Sequence, residues 1–166
     1  MDTTPAHTPD PSGVRTAGPS DVHTVAATLA SAFAEDPVMR WTLGDVADPA
    51  QRLVHGFAAM VRAGRGIEGH HVALTADSTA AVIWRDVGRW KSSTGHMLRV
   101  MPGLLRAFRS RTPLLLRGLS MIEQHHPSEP HYYLEVLGTR ADQQGRGLGS
   151  DALAPMLERC DQEGRP

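Results

Sequence analysis

The stretch HYYLEVLGTRADQQGRGLGSDAL, residues 131–153, decides the fold. Its first part, 131–138, is an apolar and aromatic run with a single acidic residue, which is typical of a β-strand. Residues 139–145 are mainly polar and predict a loop. From 148 to 163, apolar side chains recur at helical spacing, and Gly164 stands where a helix is expected to end. The stretch therefore predicts a strand, a loop and a helix in succession.

The glycines of this loop predict an anion-binding site. Gly145, Gly147 and Gly149 alternate where the strand gives way to the helix. Glycine permits a positive φ and lets a ligand approach the main chain closely. The start of a helix offers unpaired N–H groups and the positive end of the helix dipole. Arg146 adds a positive charge and Ser150 a hydroxyl, so we expect a phosphate or pyrophosphate here. The alternative is that the glycines serve only the turn.

Two common phosphate-binding motifs fit this loop poorly. A P-loop needs a lysine followed by Ser or Thr after its second glycine, and this segment has no lysine. A dinucleotide fingerprint needs the spacing G-x-G-x-x-G and an acidic residue at the end of the next strand. Residues 145–149 have the spacing G-x-G-x-G, and the sequence contains no further strand after the helix. The first motif is excluded and the second is disfavoured.

The segment QGRGLG, residues 144–149, fits the pattern Q/R-x-x-G-x-G/A. It resembles the acetyl-CoA pyrophosphate loop of the GNAT superfamily of N-acetyltransferases, and the preceding strand and following amphipathic helix match that family too. The resemblance covers residues 14–166. It implies an α/β fold with a mixed sheet and helices on both faces. It also implies transfer of an acetyl group from acetyl-CoA, the co-substrate, to a primary amine by direct attack through a tetrahedral intermediate. The histidines discussed below give no reason to expect a metal.

The resemblance also implies roles for particular residues. Val136, Leu137 and Thr139 on the strand would pair with the pantetheine arm, as an added strand would. A main-chain N–H near Leu137 would polarise the thioester carbonyl. A bulge commonly splays this strand in the family, and Gly138 is where we expect it. The backbone N–H groups that would hold the pyrophosphate belong to Gln144, Gly145, Arg146, Gly147, Leu148, Gly149 and Ser150.

Glu135 is the candidate catalytic base. It is an ionisable residue within an otherwise apolar strand, beside the expected thioester site. Aminolysis of a thioester needs a neutral amine, and a base acting through water can remove the proton. Burial would raise the pKa of this carboxyl group toward a useful range. Two alternatives stay open at this stage, a place on the solvent face of the strand or an ion pair with an arginine.

The rest of the chain predicts a short tail and one domain. Residues 1–13 are rich in proline, threonine and aspartate, and we expect them to be disordered. Residues 14–166 form the expected N-acetyltransferase domain. Its first predicted elements are a strand at 14–17, a helix that begins at Ser20 or Asp21 and is stopped by Asp36-Pro37, and a helix that begins at Asp48-Pro49. A hairpin of strands 71–75 and 80–84 follows. Helices are then expected over 95–126, with breaks near Pro102-Gly103 and Thr112-Pro113.

Composition excludes several classes of protein. Lys and Arg number 17 and Asp and Glu 18, so the net charge of −1 gives no case for a general nucleic-acid binder. Arginines interrupt every long apolar stretch, and the N-terminus has no signal-peptide pattern. We therefore expect no membrane contact and a cytoplasmic location. Cys160, the one cysteine, excludes an intramolecular disulfide and is expected in the core.

Histidines and tryptophans have ordinary structural interpretations. His70 and His71 are adjacent on a predicted strand, so their side chains would point to opposite faces and would not chelate one ion. Trp41, Trp84 and Trp90 are expected in the core or in pocket walls, with Trp84 near the substrate side. The arginines between 99 and 117 are expected to form a solvated helix face.

The position of the motif raises the question of completeness. In the family, the helix after the loop is followed by further strands, a helix and a tyrosine that protonates the departing thiolate. Tyr132 and Tyr133 are the only tyrosines, and both precede the loop. We therefore expect a truncated or cleaved domain, or one completed by another chain. An exposed sheet edge would then favour a homodimer or a second chain that completes the sheet.

Three functions stay open at this stage. The first is acetyl transfer to the amine of a small molecule. The second is a non-catalytic module that binds CoA or regulates another protein. The third is a structural protein that contacts a partner through its arginine-bearing helices and binds no CoA.

Overall fold

Four strands and six helices make up residues 13–166, the part of the chain that the computed structural model describes. No helix in this part is both long and apolar enough to cross a membrane. The strands are β1 (Val14–Thr16), β2 (His70–Thr75), β3 (Ala80–Arg85) and β4 (Tyr133–Thr139). The helices are α1 (Val22–Phe33), α2 (Pro37–Leu43), α3 (Pro49–Gly64), α4 (Thr94–Phe108), α5 (Thr112–Gln124) and α6 (Leu148–Glu163).

The strands form one sheet in the order β1-β2-β3-β4. Every pairing among the described strands is antiparallel, whereas a mixed sheet was expected. β4 lies at one edge, so its pairing with a second chain stays a prediction. The expected tail falls largely on residues 1–12, which lie outside the described residues. Gly13 extends the pairing of β1 with β2, because its carbonyl oxygen accepts a hydrogen bond from the Ala76 N–H at 2.7 Å.

Helices cover both faces of the sheet, as expected for the α/β fold. On the first face, which we call the α3 face, side chains such as Leu74 and Ile83 pack against α1, α3 and α4. On the opposite face, the α6 face, Val82 and Trp84 pack against Ala152 and Met156 of α6. Neighbouring residues of β3 therefore alternate between two separate apolar layers, which explains why all six of them are buried.

Aspartate–proline pairs set two helix starts. The Asp48 carboxylate accepts a hydrogen bond from the Gln51 N–H at 2.8 Å and begins α3, as predicted. Asp36 does the same for the Met39 N–H at 2.8 Å and begins α2, a helix that the sequence pattern did not predict. Proline suits the first helical position because that N–H has no partner within the helix. Asp36-Pro37 therefore ends α1 and begins α2.

The predicted helix break at Pro102-Gly103 is wrong. α4 continues through both residues and ends at Phe108. Gly103 is needed for packing, since a Cβ atom there would overlap the Ala59 methyl group and the His55 carbonyl oxygen of α3. The chain breaks instead at Arg109, whose φ is 49°. The break near Thr112-Pro113 is confirmed, because α5 begins at Thr112.

An irregularity interrupts the pairing of β3 with β4. Ile83 lies opposite Val136, and the next β3 residue, Trp84, lies opposite Leu134. Glu135 is thus an extra residue without a direct partner, which is the definition of a β-bulge.

The bulge predicted at Gly138 is therefore wrong in position. Gly138 pairs regularly with Ala81. It lies where α1 crosses β4, and a Cβ atom there would come within 2.8 Å of the Ala32 Cβ and 3.1 Å of the Leu29 Cδ2. Glycine is required at this position because the helix approaches the strand closely.

We expect Gly138→Ala to destabilise the protein by about 1–3 kcal/mol, because the added methyl group overpacks the contact with α1. Gly118→Ala in α5 is the matched control, since a Cβ atom there meets nothing within 4 Å. Removing a helical glycine should raise the free energy of unfolding by up to about 1 kcal/mol. Urea unfolding of both variants measures the difference, and equal effects would contradict the role assigned to Gly138.

Candidate functional site

The bulge in β4 turns two consecutive side chains toward the α3 face. Val136 packs against the apolar cluster on that face, and Leu137 against the cluster under α6. In a regular strand, Glu135 would then lie on the α6 face with Leu137. The extra residue instead lets Glu135 reach Arg85 on the α3 face.

Glu135, which is largely but not fully buried, forms a two-point ion pair with the buried Arg85. The Arg85 Nε donates to the Glu135 Oε2 at 2.8 Å, and Nη2 donates to Oε1 at 3.2 Å. The Arg85 side chain is 5% exposed and that of Glu135 15%. The pairing with an arginine, one of the alternatives left open by the sequence, is therefore present. Two parallel hydrogen bonds fix the plane of the carboxylate as well as its position.

Two buried histidines adjoin this ion pair. The His70 Nε2 lies 3.7 Å from the Glu135 Oε2, and its side chain is 2% exposed. Burial lowers the pKa of His70 to about 4. The His96 Nε2 lies 3.4 Å from the Arg85 Nη2, and burial lowers the pKa of His96 as well. Both imidazoles are therefore neutral at pH 7, and the ion pair carries the formal charge of the cluster.

Arg85 and these two histidines were not predicted as site residues. Arg85 is close to Glu135 in space but far from it along the chain. One signal was available, since Arg85 ends the run AAVIWR, whose other members are apolar and buried. A charged residue in line with such a run needs a partner when it is buried.

A cavity of about 450 Å³ lies beside Glu135, between β4 and the helices α3, α4 and α5. We call it the apolar cavity. Glu135, Val136 and His96 form part of its wall. Most of the remaining wall is aliphatic or aromatic, and examples are Phe33, Phe57, Met60, Trp90, Leu119 and Ile122.

A second cavity, of about 530 Å³, lies between the end of α1, β4 and the loop that precedes α6. We call it the β4 groove. The predicted cofactor-binding residues Leu137, Thr139, Gln144 and Gly149 line it. Phe33 at the end of α1 lines both cavities. Val136, also predicted to bind the cofactor, lines the apolar cavity instead. The other predicted residues lie outside the wall of the β4 groove, and they are Gly145, Arg146, Gly147, Leu148 and Ser150.

The loop has the backbone geometry that its glycines predicted. Gly145 and Gly147 have φ values of 79° and 81°, which favour glycine. Gly147 is the N-cap of α6 and provides no side-chain cap, and the first helical hydrogen bond runs from the Asp151 N–H to its carbonyl oxygen at 3.1 Å. The preceding N–H groups of α6 are thus available to a ligand, and Gly149 places them beside the β4 groove.

Charges around the groove have both signs. Arg146 makes no ion pair within residues 13–166, so its charge is free to attract an anion. Glu35 and Asp36 line the groove near Phe33 and oppose an anion there. Asp36 is already engaged as the cap of α2. A phosphate would therefore favour the α6 end of the groove over the α1 end.

The tryptophans occupy three different environments. Trp84 is buried in the core on the α6 face, as expected, and stacks on His71 at 5.0 Å. It lines neither cavity, and its place near the substrate side stays a prediction. Trp41 is 62% exposed, which overturns its expected place in the core or a pocket wall. Trp90 lines the apolar cavity and stacks on His126 at 3.8 Å, as expected for a pocket wall.

No protein-family model matches the chain. Among solved structures, it is similar to the crystal structure of a "histone acetyltransferase HPA2 and related acetyltransferase" from Corynebacterium glutamicum. The identity is 20%, the TM-score is 0.61, and the match covers 89% of this chain and 70% of that one. Similarity at this level shows a shared fold, so the expected fold of the N-acetyltransferase type is confirmed.

We expect His70 to make stability depend on pH. Its folded pKa of about 4 lies below the unfolded value of about 6.5, so the unfolded state binds the proton more tightly. The contribution of the neutral His70 to the free energy of unfolding is therefore complete above pH 6.5. About 3 kcal/mol of it is lost as the pH falls to about 4. Urea unfolding across this range should show a shallower dependence for His70→Gln. The exposed His23→Gln is the control, and parallel curves for His70→Gln and the unmodified chain would refute the assignment.

Proposed function

We propose that this protein transfers an acetyl group from acetyl-CoA to the primary amine of a small molecule. The observation that supports the proposal most strongly is the junction of two cavities along β4. Glu135 and Val136 line the apolar cavity, while Leu137 and Thr139 line the β4 groove, and Phe33 lines both. A transfer reaction needs two substrates whose reacting atoms meet, and this arrangement provides adjoining sites for them.

In this proposal, acetyl-CoA binds in the β4 groove and supplies the thioester. The main chain of β4 at Val136, Leu137 and Thr139 pairs with its extended arm, as an added strand would. The N–H groups at the start of α6, together with Arg146, bind the pyrophosphate. A main-chain N–H near Leu137 stabilises the negative charge that develops on the thioester oxygen. The acetyltransferase fold of the structural neighbour supports this assignment.

Glu135 acts on the amine from the apolar cavity. Arg85 donates one hydrogen bond to each oxygen of its carboxylate and so holds the carboxylate in a fixed plane. Each oxygen keeps a second lone pair for another donor. The carboxylate removes a proton from the ammonium group through a water molecule. The resulting neutral amine then attacks the thioester carbonyl carbon, and collapse of the tetrahedral intermediate breaks the C–S bond and releases the CoA thiolate. His96 also lines this cavity and is neutral at pH 7, so it is the other group there that could accept the proton.

Both rival functions make different predictions for the same site. A non-catalytic CoA-binding module would bind CoA and release no thiol with any amine. A protein that only contacts partners through its arginine-bearing helices would bind no CoA. The apolar cavity beside Glu135 favours the enzyme, because a CoA-binding module has no need of a second site. The cytoplasmic location and the pairing with a second chain stay predictions.

We expect calorimetry to detect acetyl-CoA and CoA binding to the full chain. Arg146→Glu should weaken both by roughly threefold to tenfold, because it replaces an attractive charge beside the pyrophosphate with a repulsive one. Arg106→Glu on α4 is the control, since Arg106 is exposed and lines neither cavity. Absence of CoA binding by the unmodified chain would favour the partner-contact function, and equal affinities for both variants would remove Arg146 from the site.

Glu135→Gln should lower kcat by about 10²–10⁴-fold and alter the pH profile, with unchanged affinity for acetyl-CoA. Thiol release measures the rate, and calorimetry measures the affinity. Glu158→Gln on α6 is the control for loss of an exposed carboxylate. Because the variant leaves the buried Arg85 without its carboxylate partner, urea unfolding of Glu135→Gln checks that the fold is still stable. If His96→Gln lowers kcat and Glu135→Gln does not, the base is His96.

A further inference from the structure

The apolar cavity extends well beyond the groups that the reaction requires. Glu135 and His96 occupy one side of it, while the remaining walls reach between α3, α4 and α5. At about 450 Å³, it falls in the range of pockets that enclose a small organic ligand. Much of this space is left for a part of the acceptor that takes no part in the chemistry.

Each carboxylate in the wall has a cation near it, and the cation beside Glu123, Lys91, lies in the wall itself and repels a further positive charge. Glu135 is paired with Arg85, and the Glu123 Oε1 lies 4.0 Å from the Lys91 Nζ. Burial lowers the pKa of both wall histidines, His96 and His126. Among the described wall residues, Glu135 is the one buried beside a close ion-pair partner, and Glu123 at the opening is half exposed with Lys91 beside it. The interior of the cavity therefore has no carboxylate for a second ammonium group. A polycation would have to give up its hydration here without an ion pair, which is unfavourable.

Apolar side chains also extend to the opening of the cavity. Leu119 and Ile122 of α5 line it and are 44% and 61% exposed. They belong to the last half of α5, which packs loosely over the cavity and leaves these residues in contact with water. An apolar ligand would cover them, and the water released would contribute to binding.

We propose that the acceptor is a primary amine that carries one bulky apolar group, aromatic or branched aliphatic, and no second charge. This inference rests on the proposed function and specifies its substrate class. The apolar group fills the space between α3, α4 and α5, and the amine faces Glu135. Polyamines and lysine side chains on flexible peptide tails lack the apolar group and are poor acceptors.

A series of amines tests the substrate class. With saturating acetyl-CoA, kcat/KM should rise by about fourfold per methylene from ethylamine to hexylamine, because each buried methylene adds a similar increment of binding. 2-Phenylethylamine should exceed both spermidine and Nα-acetyl-lysine. A flat series, or spermidine or Nα-acetyl-lysine as the best acceptor, would overturn the inference.

Two variants of α5 locate the binding site. Leu119→Asp should lower kcat/KM for 2-phenylethylamine by at least about tenfold, because it places a charge in the apolar wall. Met121→Asp is the matched control, since Met121 is 56% exposed on the same helix and does not line the cavity. Equal effects of the two variants would place the amine elsewhere.

Failure of the proposed function is distinguishable from failure of this inference. If the chain binds acetyl-CoA but releases thiol with no amine, acetyl transfer is refuted. Calorimetric titration of the CoA-bound chain with 2-phenylethylamine and with spermidine then decides the ligand class alone. Tighter binding of 2-phenylethylamine, weakened by Leu119→Asp, supports an apolar amine site. Tighter binding of spermidine, or no binding of either, overturns it.

Discussion

One extra residue in β4 places Glu135 and Val136 on the same face of the sheet, and the geometry of both cavities depends on it. Side chains of a strand alternate between faces, so a shift of one residue exchanges the two sets. In a regular strand that kept Leu137 on the α6 face, Glu135 would lie on the side of Trp84, and Arg85 would be buried without a carboxylate partner. The bulge lets Glu135 reach Arg85 and keeps Leu137 in its apolar layer. Glu135 and its neighbour Val136 both face α3, while the rest of β4 keeps its register.

The ion pair between Arg85 and Glu135 does more to orient the Glu135 carboxylate than to stabilise the fold. Removing two charges from water costs several kcal/mol for each ion, and their attraction only offsets this cost when the geometry is good. Apolar residues of similar size would serve the core as well, and they would leave no charge at the cavity wall. The paired side chains instead hold a carboxylate at a fixed position beside the apolar cavity, where the proposed reaction requires one. His70 behind Glu135 stays neutral and excludes water from that side.

The order of elements and the loop at the start of α6 could be predicted because their signals are local. Glycine spacing, apolar periodicity and the breaker residues all lie within a few positions of the structure they determine. The bulge could not be placed, because it depends on how β4 registers against β3. Gly138 attracted that prediction as the only glycine of the strand, but its contact is with α1. Arg85 was missed for the same reason, and Asp36-Pro37 was ambiguous because one signal both ends a helix and begins another.

Gly138 connects the fold to the distance between the two proposed substrates. The missing side chain lets α1 approach β4 so closely that a Cβ atom would come within 3.3 Å of the Phe33 Cε2. Phe33 packs on Phe57 at 5.7 Å and forms a wall of each cavity. The ring therefore stands between the β4 groove and the apolar cavity, at a distance from β4 that the glycine sets. A reaction between ligands in adjoining cavities requires their atoms to approach within about 3–3.5 Å. The closeness of α1 to β4 is thus a condition for the proposed transfer as well as for the packing of the core.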